Sequence, residues 1–153
     1  MREVEAAAEL LAAEHGVAAD VWSAPSFTEL RRDGIAAERW NRLHPTESPR
    51  RSWVETSLEG HPGPVVASTD YMRGFAENIR PFVKRSYTVL GTDGFGRSDT
   101  RANLRRHFEV DRFHIAHAAI AALAAEGKMT GKDVARAIKQ YKIDVEKPNP
   151  VGV

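Results

Sequence analysis

The sequence contains no cysteine. Disulfides, thiolate catalysis and Cys-ligated metal sites are therefore excluded. It also has no apolar run near the ~20 residues of a membrane-spanning helix. Neither sign of charge is in excess: 22 Lys and Arg stand against 21 Asp and Glu, a formal net charge of +1. That balance gives no electrostatic case for nucleic acid or for an anionic membrane surface. The opening stretch "MREVEAAAELLAAEHG" does not read as a signal peptide, because Glu3, Glu5 and Glu9 interrupt any apolar core. We therefore expect a cytoplasmic chain. Internal repeats and low-complexity linkers are absent as well. Aromatic residues are few, and all three tryptophans (Trp22, Trp40 and Trp53) fall in the first half, as core residues or as interface anchors.

What is present fits one domain. The 153 residues suit a single unit, and 42% hydrophobic residues allow a real core. Spacing predicts a helix over 2–15 from Val4, Ala7, Ala8 and Leu11, with Gly16 as its stop. "DVWSA" (20–24) reads as a short strand. Ser26 and Glu29 have capping-box spacing, so a second helix starts there; Asp33-Gly34 is expected to interrupt it before it resumes over 35–43. Residues 44–50 form a Pro-bearing loop, and 52–60 a helical turn or two ending at Gly60. "GPVVAS" (63–68) is a compact strand. Asp70 is placed to cap a helix over 71–79, stopped by Pro81. "YTVLGT" (87–92) is a third strand. Helices follow over 100–108, over 112–126 with Asp111 as cap, and over 131–141 with Thr130 and Asp133 as cap. Residues 147–153 read as a C-terminal tail after a domain over 1–146.

Short strands alternating with helices argue for an α/β fold with a mostly parallel sheet. Three short strands make a small sheet, and a parallel sheet is ordinarily covered on both faces and flanked at its edges. We therefore expect the chain to be a piece of a larger protein, or to begin late within its own domain.

The segment "LGTDGFGRSDTR" carries the most chemical interest. Gly91, Gly94 and Gly96 follow a strand and precede a helix, where backbone N–H groups can cradle a phosphate. The spacing is not the dinucleotide fingerprint, since Asp99 stands where the third glycine would be. No Gly-Lys-Ser/Thr follows, so it is not a P-loop, and Asp93 and Asp99 would repel a phosphate. The favoured reading is a tight strand-to-helix turn, with Ser98 or Asp99 capping the helix. Asp93, Arg97, Ser98 and Asp99 are candidate contacts, as a local polar network or against another subunit.

Other constellations are weaker. His114 and His117 share a helix face with Asp111 one turn earlier, but a metal would need a third ligand from elsewhere. His44, Asp70 and His107 are types that do acid–base work, yet nothing in the sequence brings them together. The pairs Arg31-Arg32, Arg50-Arg51 and Arg105-Arg106 read as solvated or ion-paired surface. From residues alone the chain is a scaffold without a self-contained active site: no catalytic, cofactor-binding or metal residue is assigned.

Five stretches in order resemble one family. They are "DVWSAPSFTELRRDG", "ERWNRLHPTESPR", "PVVASTDYMRGFAENIRPFV", "YTVLGTDGFGRSDTRANLRRHFEVD" and "IDVEKPNP". The chain resembles the C-terminal, transketolase-like region of bacterial homodimeric pyruvate dehydrogenase E1 components. The resemblance implies a three-layer α/β/α domain with a mostly parallel sheet, here expected to lack the family's first two strands. It implies a thiamine-diphosphate- and magnesium-dependent enzyme that decarboxylates pyruvate and acetylates the lipoyl group of an E2 dihydrolipoyl acetyltransferase. It further implies that the cofactors are held by other domains across a homodimer interface. This chain would then supply structural and dimer contacts, and would be inactive alone. The alternatives are a C-terminal domain of another transketolase-like enzyme, a non-enzymatic docking module, or a phosphate-binding protein using loop 91–99.

Overall fold

The structure is a computed structural model that describes residues 1–152. Its elements in order are α1 (Arg2–His15), α2 (Phe27–Leu43), α3 (Trp53–Ser57), β1 (Val65–Ser68), α4 (Arg73–Glu77), β2 (Tyr87–Leu90), α5 (Arg101–His107), α6 (Arg112–Ala125) and α7 (Gly131–Gln140). Short 3-10 turns lie at Arg80–Phe82 and Pro150–Gly152.

The strands β1 and β2 pair in parallel, with Val65 opposite Tyr87 and Ser68 opposite Leu90. A parallel pair needs a crossover, which α4 and the 3-10 turn supply. Side chains alternate between the two faces of a strand, and both faces are covered. Val66 and Leu90 pack on a cluster built from Ala7, Leu11, Ile115, Ala116, Ile120 and Tyr141, contributed by α1, α6 and the end of α7. Val65, Ala67, Tyr87 and Val89 face the other way, into a cluster with Val54, Ala76, Ile79 and Phe82. Helix, sheet and helix thus form three layers, the α/β/α architecture expected.

Helix α6 is central because it is apolar nearly all round. Ala116 and Ile120 are fully buried, and the helix contacts α1, α7 and both strands. An all-round apolar helix belongs inside a fold, not on its surface. Its start is fixed by Asp111, whose carboxylate accepts from the His114 N–H at 2.9 Å. Thr130 and Asp133 form a reciprocal capping box on α7, and Ser26 caps α2.

Several expectations are corrected. Residues 20–24 form no strand; they are exposed coil, because no neighbouring strand offers them a ladder. The sheet among the described residues therefore has two strands, not three. Asp33-Gly34 does not break α2. Gly34 is buried in mid-helix, where a Cβ would lie 2.5 Å from the Phe82 ring. The glycine is there for close approach. Asp70 does not cap α4: Met72 holds the N-cap position without a side-chain bond, and the helix spans only Arg73–Glu77. Thr100, not Ser98 or Asp99, caps α5. Val153, the last residue of the expected tail, lies outside the described residues.

Candidate functional site

The loops at the carboxyl ends of β1 and β2 lie side by side, the edge at which open α/β sheets carry their sites. The Thr92 N–H donates to the Tyr71 carbonyl at 2.9 Å, and the Thr92 hydroxyl donates to the Asp70 carbonyl at 2.9 Å. The two loops are also clamped by an ion pair. Arg73 donates its backbone N–H and its Nε to the two oxygens of Asp93, at 2.9 and 2.5 Å. Those hydrogen bonds hold the Asp93 carboxyl below the usual range against the opposing cost of burial. Asp93 is thus engaged within the chain, with Arg73 at the start of α4.

The three loop glycines are not equivalent. A Cβ on Gly91 would stand 2.8 Å from the Tyr71 carbonyl oxygen and the Arg73 nitrogen. Gly94 has φ of +107° and faces the Pro150 carbonyl. Gly96 has open space around it.

Beyond the loop, Asp99 accepts from the Thr100 N–H and the Asn103 side chain, both at 2.7 Å. It steadies the entry to α5. Arg97 donates to the His107 ring at 3.2 Å. Burial first, then the Arg97 charge, depresses the His107 pKa. Ser98 is exposed. Arg97, Ser98 and Asp99 are therefore a surface group, and Asp93 an internal one.

The C-terminal tail is the part the sequence did not place. Lys147 donates to the carbonyls of His107 and Arg106 at 2.8 and 3.3 Å, and pairs with Glu109 at 3.0 Å. An ammonium at a helix C-terminus satisfies orphan carbonyls and suits the dipole. Pro150 is buried, with its carbonyl against Gly94. The tail is a strap that ties α5 to the Gly-rich loop. Its spacing from the loop, more than fifty residues, left no local signal.

On the other side of the loop lies an open trough of about 590 Å³. One wall is loop 70 and 92–96; the other is the face of α5 carrying Arg101, Leu104 and Arg105. Arg105 is drawn back by Glu3, which also takes Arg112. The Arg112 hydrogen bond leads in lowering the Glu3 pKa.

The remaining candidates are dispersed. His114 donates from Nδ1 to Asp111 at 2.7 Å, and Arg106 lies 3.3 Å from the same carboxylate. Burial raises the Asp111 pKa, but the His114 hydrogen bonds and the nearby charges outweigh it. Burial, then the nearness of His114, lowers the His117 pKa. His44 donates to the Trp40 carbonyl and stacks on the Trp40 ring. Of the basic pairs, Arg32 meets Glu29, Arg51 meets Glu59, and Arg50 lies over Trp40.

No cluster of three or more His, Asp or Glu able to hold a metal ion occurs among the described residues. The loop is also a poor diphosphate cradle, because Pro150 presents a carbonyl to Gly94. Among the described residues, then, the loop offers neither a cluster of metal ligands nor an open cradle for a diphosphate. Among the described residues no helix is long and apolar enough to cross a membrane.

Comparison with known proteins decides the family. Residues 1–111 match the family profile described as "Transketolase-like TK C-terminal domain". The chain belongs to this family. The transketolase-like C-terminal profile ends at the α6 cap, although α6 and α7 complete the core beyond it. Identity extends further. The chain is 60% identical over 152 residues to the pyruvate dehydrogenase E1 component of Cupriavidus necator, covering 99% of this chain and 17% of that protein. It is 59% identical over 152 residues to the E1 component of Pseudomonas aeruginosa, with the same two shares. It is 52% identical over 151 residues to that of Escherichia coli K12, covering 98% and 17%. The chain spans about a sixth of the length of the curated relatives it matches.

Proposed function

We propose that this chain acts as the C-terminal scaffold domain of a pyruvate dehydrogenase E1. The whole enzyme would decarboxylate pyruvate with thiamine diphosphate and magnesium, then transfer the acetyl group to the lipoyl group of an E2 dihydrolipoyl acetyltransferase. The supporting observation is the match to E1 components along 99% of the chain at 60% identity. On this reading the cofactors sit on other domains, and this chain contributes packing, contacts to the E1 homodimer partner and no reacting group. Residues 1–146 form the domain and 147–153 its C-terminal tail, whose Lys147 and Pro150 make the strap. Arg97, Ser98 and Asp99, on the exposed side of the loop, are the contact residues; Asp93 holds the loop in place from within.

A second reading is a free-standing docking module. Exposed Trp53, Tyr71 and Phe95, at 65%, 71% and 80% of their full exposure, favour it. Intact mass of the natural polypeptide from its cell separates the two. The E1 reading expects a chain roughly six times longer than this one. A species of 17.0 kDa would favour the docking module instead.

A further inference from the structure

We propose that His107 is a pH-sensitive latch: neutral, it tethers Arg97 and holds residues 95–98 against the end of α5; protonated, it lets them go. The latch concerns this chain's own residues. Its bearing on partner contacts rests on the role proposed above for Arg97, Ser98 and Asp99.

Little else holds this stretch. Asp93 is fixed by Arg73, and Gly94 lies against the Pro150 carbonyl. From Phe95 to Thr100 every residue is exposed, and Gly96 has open space around it. Asp99 bonds only to Thr100 and Asn103, at the start of α5. Among the described residues, one hydrogen bond joins residues 95–98 to another part of the chain. It runs from Arg97 Nη1 to His107 Nδ1, at 3.2 Å.

The sense of that bond is fixed. A guanidinium has donors and no acceptor, so Nδ1 must accept through its lone pair, and the ring proton sits on Nε2. A second proton would take the Nδ1 lone pair. Two N–H donors and two positive charges would then face each other, and the bond would be lost.

The charges around the ring come from three segments. Arg97 and Asp99 belong to the loop, Glu109 follows α5, and Lys147 belongs to the strap. Asn103 and Leu104, one turn back on α5, do not titrate, and the Phe108 ring meets the imidazole edge-on at 4.8 Å. Asp99 and Glu109 favour the imidazolium, but both are engaged: Asp99 by Thr100 and Asn103, Glu109 by Lys147 at 3.0 Å. Burial, then the Arg97 and Lys147 charges, keep His107 below the usual histidine range. The sign follows. The closed latch contributes its stability above the usual histidine pKa and loses it as pH falls through the lowered one. The pair is near the surface, so the effect is read in local order and not in global unfolding.

The test is NMR of the 15N-labelled chain between about pH 8 and about pH 5. The His107 ring signals, assigned by their loss in His107→Gln, are expected to titrate at lower pH than they do in Arg97→Ala. The heteronuclear NOEs of residues 95–98 are expected to fall with the His107 midpoint, while helical circular dichroism stays constant. In His107→Gln the amide oxygen still accepts from Arg97 and does not titrate, so residues 95–98 should stay ordered throughout. Equal midpoints in the unaltered chain and Arg97→Ala would overturn the tether. Equal order of residues 95–98 at both ends of the range would overturn the release. The same pH response in His107→Gln would assign it to another group, and a parallel loss of helical signal would make it unfolding; either overturns the latch. All these readouts belong to the chain itself, so failure of the E1 reading in a whole enzyme leaves the latch standing.

Discussion

Gly94→Val is expected to destabilise the chain by about 3 kcal/mol and to release its C-terminal strap. Two causes add. At φ of +107° a β-branched residue is strained, at a cost of about 1–3 kcal/mol. The new Cβ would also overlap the Pro150 carbonyl oxygen and lie 3.0 Å from its carbon. Backbone cannot yield as a flexible side chain does, so the strap must leave. Pro150 then loses its burial, and Lys147 its fixed place over the end of α5. Gly96→Val is the matched control: nothing lies within 4 Å of its Cβ, so the change should stay within about 0.5 kcal/mol. Urea unfolding measures both, and limited proteolysis reports the strap. Equal midpoints for the two variants would refute the distinction between these glycines.

The second large effect lies in the lower core. Gly34→Val drives a side chain into the Phe82 ring, which reaches from the 3-10 turn and is buried against α2. Overpacking of this kind costs about 1–3 kcal/mol, and the helix-propensity gain from removing glycine offsets only part of it. Phe82→Ala empties the same space, at about 3–5 kcal/mol. The double variant should be less destabilised than the two single changes added together, by at least about 1 kcal/mol, because the valine occupies part of the vacated volume. Strict additivity in thermal or urea unfolding would show that the two positions do not share that space.

Local rules account for what the sequence made legible. Ser26, Asp111 and the Thr130–Asp133 pair cap their helices through bonds spanning three residues, so their pattern is visible in a short window. The apolar runs at 65–68 and 87–90 pair as a covered parallel sheet, again as their composition indicates. The failures have non-local causes. Asp-Gly at 33–34 carries the local signature of a break, but the glycine answers to a ring 48 positions away. "DVWSA" has strand-forming residues, yet a strand needs a ladder partner and none stands beside it. Around Asp70, the Thr69 hydroxyl accepts from the Tyr71 N–H at 3.1 Å, and the helix starts only at Arg73. At the loop, the glycines and Asp93 could be read, but the Arg73 clamp and the Pro150 strap join residues far apart in sequence. The five ordered stretches carried the family resemblance, because specificity there comes from many residues at once.

The most direct test of the scaffold account is to replace the matched segment of the Escherichia coli E1 component with this chain and measure pyruvate decarboxylation beside the chain alone. The account predicts a chimera that assembles and turns over pyruvate with thiamine diphosphate and magnesium at a rate within about tenfold of its parent, while the isolated chain shows no turnover. Turnover by the isolated chain, or a chimera that cannot assemble an active enzyme, would contradict it.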